Sequence, residues 1–464
     1  MNRQKMLHIL RLWFAGLLLL VFGQAHALPP LSNNPLFLGG NIPPNVMFTL
    51  DDSGSMQWEI MPDDITYFSY LYPRPSGLYG GTDYANQVPD FNSANIYNAL
   101  LRSPSNNKIY YDPAVTYTPW AQSSGASWVN APITCAPHNP QLPGLGCRNL
   151  TANQTVNMSG SSYWYGSGGW YQGNHTFYPA VYYRYNGGSI WSTGNYTQVQ
   201  IISTTATYTG DGRASRTDCT AGTCTYAQEI QNFANWYTYY RSRILLSRAG
   251  VGKAFAAQGN NMRVGFAAIN KGNSTIDGVT NTRVVIRGVR AFTGTDRDDF
   301  FSQLYGHVIP TSGTPLRTAV SRVGGYYERT DASGPWGEFP GTGGGTQHEC
   351  RQSYNILMSD GYWNDSVTGP GNADGTAGST ITNHSTPASP ANYTYAPVAP
   401  YSDAFSNTLA DYAMDFWKRD LRTDLDNKVP TNASDPAFWQ HMVTFTVGLG
   451  VSGTLPPPPA APGA

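Results

Sequence analysis

The stretch "VMFTLDDSGSMQW", Val46 to Trp58, sets four apolar residues in five directly against two acids and two serine hydroxyls. A short apolar run of β-forming residues predicts a strand buried on both faces. The acids and hydroxyls that follow suit no core. They belong at the strand's carboxyl end, where α/β sheets gather functional groups. A second strand with the same ending lies further on: "SYNILMSD", Ser353 to Asp360, is also apolar and also closes on an acid.

The segments around these two strands alternate. "NVMFTL" (Asn45 to Leu50) is the first strand. Thr225 and Gln228 have capping-box spacing, and Ile230, Phe233, Tyr237, Tyr240, Ile244, Val251 and Phe255 follow on a 3.6-residue stripe, predicting a strong helix. "RVGFAAIN" (Arg263 to Asn270) and "TRVVIRGV" (Thr282 to Val289) read as strands, and 298–306 and 315–327 as helices. A helix around 408–421 and a strand "MVTFTVGLG" (Met442 to Gly450) close the series. This alternation predicts an α/β fold with a mainly parallel central sheet covered on both faces.

With 464 residues the chain can form one large domain with insertions, or two or three ordinary ones. Its net charge is −1 and 12% of residues are charged, which leaves no basic field for nucleic acid. Arg3, Lys5 and Arg11, the apolar run Leu12 to Phe22 and an A-x-A site at Ala25 to Ala27 predict a signal peptide over 1–27 and hence export. The mature chain then divides into 28–66, with the first strand and its acid–hydroxyl motif; a β-rich, Tyr/Trp-rich insertion over 67–222; the remainder of the α/β domain over 223–454, with loop insertions at 329–350 and 361–402; and a proline-rich tail over 455–464. The insertion's rings either form a contact surface or fill a small core of its own, the second being the simpler reading for most of them. Cys135 with Cys147 and Cys219 with Cys224 are the favoured disulfides, each closing a short loop, although spacing does not fix connectivity. Cys350 is left over. His307, His348 and His441 read as surface or packing residues.

Asp51, Ser53 and Ser55 form the pattern D-x-S-x-S, and Asp360 tips the second acid-ended strand. Thr314, in "IPTSGTPLRTAV", precedes Pro315 as an N-cap residue precedes a proline at the first helical position. Singly, an acid after a strand is most simply a cap. Together, three hydroxyls and two carboxylates from three loops make an oxygen-only set, suited to a hard divalent cation rather than zinc or copper. Mg2+ is the first choice, with Mn2+ and Ca2+ as alternatives.

These residues carry a resemblance. "DDSGSM", the Thr of "SGTPL" and "ILMSDG" resemble, in order, the three motifs of a von Willebrand factor A domain, which build its metal-ion-dependent adhesion site (MIDAS). The resemblance implies a Rossmann-like domain in which Asp51, Ser53, Ser55, Thr314 and Asp360 ligate the cation directly or through water. A narrower resemblance runs from about Asn33 to Leu455. "NKIYYDPAVTYTPW", "NFANWYTYYRSRILLSRAG" and "NTLADYAMDFWKRDLRTDLDNKVP" are similar to the N-terminal half of the PilY family, type IV pilus tip-associated adhesins of Gram-negative bacteria. It implies a non-enzymatic pilus biogenesis and adhesion protein, exported to the periplasm and cell surface. Its implied partners are minor pilins of the tip complex and a host or surface ligand presenting a carboxylate.

The family places a β-propeller after this region, and the A-domain fold should carry a further helix and strand beyond "TFTVGLG". Neither is legible, so the sequence reads as a truncated product or a fragment. Two rival functions are a metal-independent assembly scaffold that docks minor pilins and, in another class, a phosphohydrolase of the haloacid dehalogenase type. The latter needs D-x-D, where this chain has Ser53.

Overall fold

Strand β1, Asn45–Leu50, is buried at all six residues. Its alternation sends Val46, Phe48 and Leu50 into one core and Met47 into another, so the strand needs cover on both faces. The computed structural model describes residues 42–62, 68–432 and 435–450; the predicted signal peptide and proline-rich tail lie outside them. Four more strands complete the central sheet: β2 (Arg263–Ala268), β3 (Val285–Ala291), β4 (Ser353–Ser359) and β5 (Val443–Gly448). Their order is β3-β2-β1-β4-β5. β1 pairs parallel with β2 and β4, and β4 parallel with β5, while β3 runs antiparallel at one edge.

Helices cover both faces. On the side of Phe48 lie α1 (Tyr226–Tyr239), α2 (Arg243–Ala256) and α3 (Gly294–Gly306). Phe48 meets Phe255 of α2 at 5.7 Å between ring centroids and Phe300 of α3 at 6.2 Å. Such edge-on pairs add about 0.5–1.5 kcal/mol to the burial itself. On the side of Met47 lie α4 (Leu316–Tyr327) and α5 (Leu409–Trp417). Thr225 and Thr408 begin α1 and α5 with complete capping boxes.

The stripe that begins at Ile230 does not form one helix. It breaks at residues 240–242: Tyr240 leaves helical geometry at φ −137°, and Ser242 caps α2 by accepting from the Leu245 amide at 3.4 Å. Contacts remote in sequence fix the break. Arg241 is ion-paired to Glu59 at 2.8 Å, and the Arg243 amide donates to the Trp58 carbonyl at 3.0 Å.

The 67–222 region forms short two- and three-stranded ladders. A small cluster of its own gathers Ala99, Val181 and Tyr183 with Phe91 and Tyr196, but most of its large buried rings join the main core. Trp120, Trp164, Tyr110 and Tyr111 share one cluster with Phe233 and Trp236 of α1 and with Phe48 of the sheet. Trp170 and Trp191 stay about half exposed, at 46% and 52%. Disulfides join Cys135 to Cys147 and Cys219 to Cys224, and Cys350 is a free thiol. Among the described residues no helix is long and apolar enough to cross a membrane.

Candidate metal centre

Parallel pairing puts the two acid-tipped strands side by side. Leu50 is in register with Met358, and the Asp51 amide donates to the Met358 carbonyl at 2.9 Å. Asp51 and Asp360 therefore leave the sheet together, beside the central strand from which the sheet grows in both directions. A crevice beyond the carboxyl ends at such a reversal is where open α/β sheets bind ligands.

A short 3-10 turn, Gly54–Gln57, then bends the chain across the strand ends. The Ser53 amide donates to Asp51 Oδ1 at 2.7 Å, Ser53 Oγ lies 3.1 Å from Ser55 Oγ, and Ser55 Oγ donates to Asp360 Oδ1 at 2.9 Å. The third loop closes against this turn through the Gly54 amide, which donates to the Ser312 carbonyl at 2.9 Å. Glycine is required there for room: a Cβ at position 54 would sit 2.3 Å from the Tyr84 hydroxyl and 3.0 Å from the Thr311 Cα.

Thr314 is tied in turn to the strand β4 motif. Its amide donates to Asn364 Oδ1 at 2.7 Å, and its carbonyl accepts from the Asn364 amide at 3.1 Å. The expected N-cap role is not what the structure gives. Pro315 holds the cap position of α4 with no side-chain cap bond. Asp365 serves the helix end instead, accepting from the Thr318 amide and hydroxyl at 2.8 Å each. The Thr314 hydroxyl is thereby released from capping. Of the five candidates, Asp51, Ser53, Ser55 and Asp360 form one hydrogen-bonded chain, and Thr314 is bonded not to them but to Asn364, on the loop after Asp360.

The site is largely buried and acidic. Asp51 is fully buried, Ser53 is 1% exposed and Asp360 5%. Burial, then the charge of Asp360, push Asp51 up to about 6, against hydrogen bonds from Ser359 and Ser53 that favour its ionised form. Asp360 carries a second partner that sequence reading missed. Its Oδ2 accepts from Arg243 Nη1 at 2.9 Å, and the same buried guanidinium donates twice to the Ile60 carbonyl, at 2.9 and 2.8 Å. Nothing in the spacing of Arg243 marks it. Ser359, which donates to Asp51 Oδ2 at 2.6 Å, was legible as a hydroxyl beside an acid.

Asp52 turns away from this set. Its Oδ1 accepts from the backbone and side-chain amides of Asn270 at 2.9 and 3.1 Å, and its Oδ2 lies 2.8 Å from His307 Nε2. His307 is thus a bonded support rather than a surface or packing residue. Asn270, polar and directly after "RVGFAAI", carried the signal that marked Asp51.

Among the described residues no three His, Cys, Asp or Glu side chains gather as a metal cluster. The set here has two carboxylates and completes itself with hydroxyls, which suits a hard cation that keeps some water. Two buried carboxylates facing one guanidinium leave negative charge in excess, which adds to burial in raising Asp51. A divalent cation would relieve that excess, so the residues fit one. On the rim, Tyr362 is 72% exposed and Trp363 37%, and Arg317 stacks over the Trp363 ring at 5.5 Å.

No protein-family model and no solved structure matches the chain. It is 29% identical to the type IV pilus biogenesis factor PilY1 of Pseudomonas aeruginosa strain UCBPP-PA14 over 447 residues, 92% of this chain and 33% of that protein. It is 32% identical to PilY1 of strain PAK over 472 residues and 30% identical to PilY1 of strain PAO1 over 470, in each case 96% of this chain and 35% of the relative. The chain is therefore similar to these PilY1 proteins along nearly its whole length while spanning about a third of theirs.

Proposed function

We propose that this chain is a type IV pilus biogenesis and adhesion protein of the PilY family. In this reading its central sheet is a von Willebrand factor A domain carrying a MIDAS-type divalent-cation site, and it is exported to the pilus tip. The similarity to PilY1 supports the pilus role. One observation carries the metal site: Ser55 and Asp360, 305 residues apart, are hydrogen-bonded at the ends of adjacent parallel strands, with Asp51 and Ser53 in the same chain of contacts.

Asp51, Ser53, Ser55, Thr314 and Asp360 would hold the cation, Mg2+ by the hardness of the donors. When bound, it supplies an exchangeable position for a carboxylate oxygen of a partner protein. The chain's own residues do the rest. Ser359 and the Ser53 amide fix the two oxygens of Asp51, Arg243 orients Asp360, and the Gly54–Ser312 contact holds the third loop closed. Ser53 stands where a phosphohydrolase of the haloacid dehalogenase type needs its second acid. A phosphate-release assay is expected to read zero.

Calorimetric titration with Mg2+ tests the site directly. The parent protein should bind, and Asp51→Ala should not while keeping its near-ultraviolet circular dichroism. Unchanged titration heat in that variant removes the site from consideration. Arg243 favours a second reading, in which its built-in cation already neutralises Asp360 and the domain is a metal-independent scaffold for minor pilins. Capture of minor pilins with and without EDTA separates the two, since only the first loses binding on chelation.

A further inference from the structure

The start of the 67–222 insertion returns to the strand ends. Its segment 77–84 is closed on itself by Asp83, whose carboxylate accepts from the Gly77 and Leu78 amides at 2.6 and 3.2 Å and pairs with Arg74 at 2.8 Å. The segment then lies against two of the loops that carry candidate ligands. On the side of the 3-10 turn, the buried side-chain amide of Gln57 donates to the Thr82 carbonyl at 2.8 Å and to the Ile309 carbonyl at 2.7 Å. On the side of the Thr314 loop, the Ile309 amide donates to the Tyr79 carbonyl at 3.1 Å, and the Thr311 amide to the Thr82 hydroxyl at 3.0 Å. A fourth loop, bearing none of the five candidate ligands, thus holds the turn and the Thr314 loop together.

What this loop brings to the centre is Tyr84. Its amide donates to the Tyr70 hydroxyl at 3.3 Å, its carbonyl accepts from Arg74, and its ring meets Trp58 edge-on at 6.1 Å between centroids. So pinned, the half-buried ring reaches the residue between Ser53 and Ser55: its hydroxyl lies 2.3 Å from where a Cβ of residue 54 would stand. Space that a side chain at position 54 would begin to fill is filled from the insertion instead. The charge of Asp360 is felt at this hydroxyl. A phenol keeps its proton at neutral pH, and among the described residues no acceptor takes it.

We propose that Tyr84 is a ligand-contacting residue of the cation site, whose hydroxyl donates to the oxygen of a bound partner carboxylate that the cation leaves free. This rests on the cation reading above and adds to it a donor from outside the three motifs. A neutral donor suits the place. It gives a carboxylate a charge-assisted hydrogen bond, where a lysine or arginine would compete with the metal for Asp51 and Asp360. A wedge between the turn and the Thr314 loop would need the ring alone. The hydroxyl, with its proton untaken beside two candidate ligands, is the part that a wedge does not explain.

Tyr84→Phe keeps the ring and removes only the hydroxyl. The probes are two labelled peptides of Gly and Ser bearing one central Asp or one central Asn, followed by fluorescence anisotropy in Mg2+ and in EDTA. The parent is expected to bind the Asp peptide in Mg2+ and not in EDTA, and the Asn peptide in neither. Tyr84→Phe should bind the Asp peptide about tenfold more weakly, with the calorimetric Mg2+ affinity and the thermal midpoint in EDTA both unchanged. A variant that loses Mg2+ affinity or thermal midpoint along with the peptide makes Tyr84 a structural wedge and overturns the proposal. A variant that binds the Asp peptide as tightly as the parent, or a parent that takes up Mg2+ but not that peptide, overturns it while the cation site stands. Absence of Mg2+ heat in the parent overturns the cation reading and this proposal together.

Discussion

Replacing Asp51 by Asn removes one of two neighbouring buried carboxylates while preserving the side chain's shape. Burial and Asp360 raise Asp51 from 3.8 to about 6. Each unit of that rise is about 1.4 kcal/mol, so in EDTA the ionised Asp51 costs the fold about 3 kcal/mol at neutral pH. Because the folded value lies above the unfolded one, the group's favourable contribution is complete below about pH 4. It is lost as pH rises to about 6, and the full cost applies beyond. The hydrogen bonds can follow the change. The carbonyl of the introduced amide keeps the Ser53 backbone N–H, and Ser359 Oγ, already 3.2 Å from the Gly361 carbonyl, can donate there and accept from the introduced NH2 group. Lost charge assistance returns about 1 kcal/mol.

Asp51→Asn should therefore exceed the parent by about 2 kcal/mol in EDTA at neutral pH, the difference closing toward about pH 4. Urea denaturation of both proteins across that range measures it. In Mg2+ at about a hundredfold excess over Kd the parent alone should gain about 2.7 kcal/mol, which reverses the order. A variant less stable than the parent at every pH in EDTA refutes the electrostatic reasoning. A variant that gains as much from Mg2+ refutes the ligand assignment.

Thr314→Ala should weaken Mg2+ binding about tenfold, or ~1.4 kcal/mol, with α4 intact because Asp365 provides its cap; calorimetry and circular dichroism read the two effects. Tyr362→Ala should leave Mg2+ affinity unchanged and weaken capture of a carboxylate-bearing partner, since the ring stands exposed beside Asp360. Burial opposes a charged His441, but the Asp435 carboxylate at 2.9 Å and the Trp439 carbonyl at 2.7 Å hold a proton on each ring nitrogen and raise it above its ordinary value. That stabilisation is complete below about pH 6.5 and is lost as pH climbs through the raised value, so His441→Gln should flatten the alkaline fall in urea midpoint. Changing Cys135 and Cys147 to Ser, which opens a loop of sequence separation 12, should cost about 3 kcal/mol by the same measurement.

What could be read from the residues was set by how far away the deciding partner lay. The limits of β1, the cap at Thr225 and the acid tips at Asp51 and Asp360 depend on neighbours within a few positions, and each stands where local pattern put it. Thr314 shows the opposite case. Its position before Pro315 suggested a cap, but the capping acid is Asp365, on a loop that only the fold brings near. The break between α1 and α2 was invisible for the same reason. Its cause is the pairing of Arg241 with Glu59, 182 residues apart. Composition likewise could count rings in the 67–222 region, but not tell that Trp120 and Trp164 would join the core of the sheet.

That break has a consequence for the site. A parallel crossover from β1 to β2 constrains only where its two ends meet the sheet, so a long excursion between them is tolerated. This one returns through α1, breaks at residues 240–242 and starts α2 at Arg243, whose guanidinium lands on Asp360. The cation that sets the charge of the centre is thus delivered by the end of the excursion, not by any of the three loops bearing the ligands. Had α1 and α2 run on as one helix, the contacts that aim Arg243 between Ile60 and Asp360 would have no turn to form on, and two buried acids would face each other alone. The ring-packed region is in this way joined, through α1 and α2, to the acids at the strand ends.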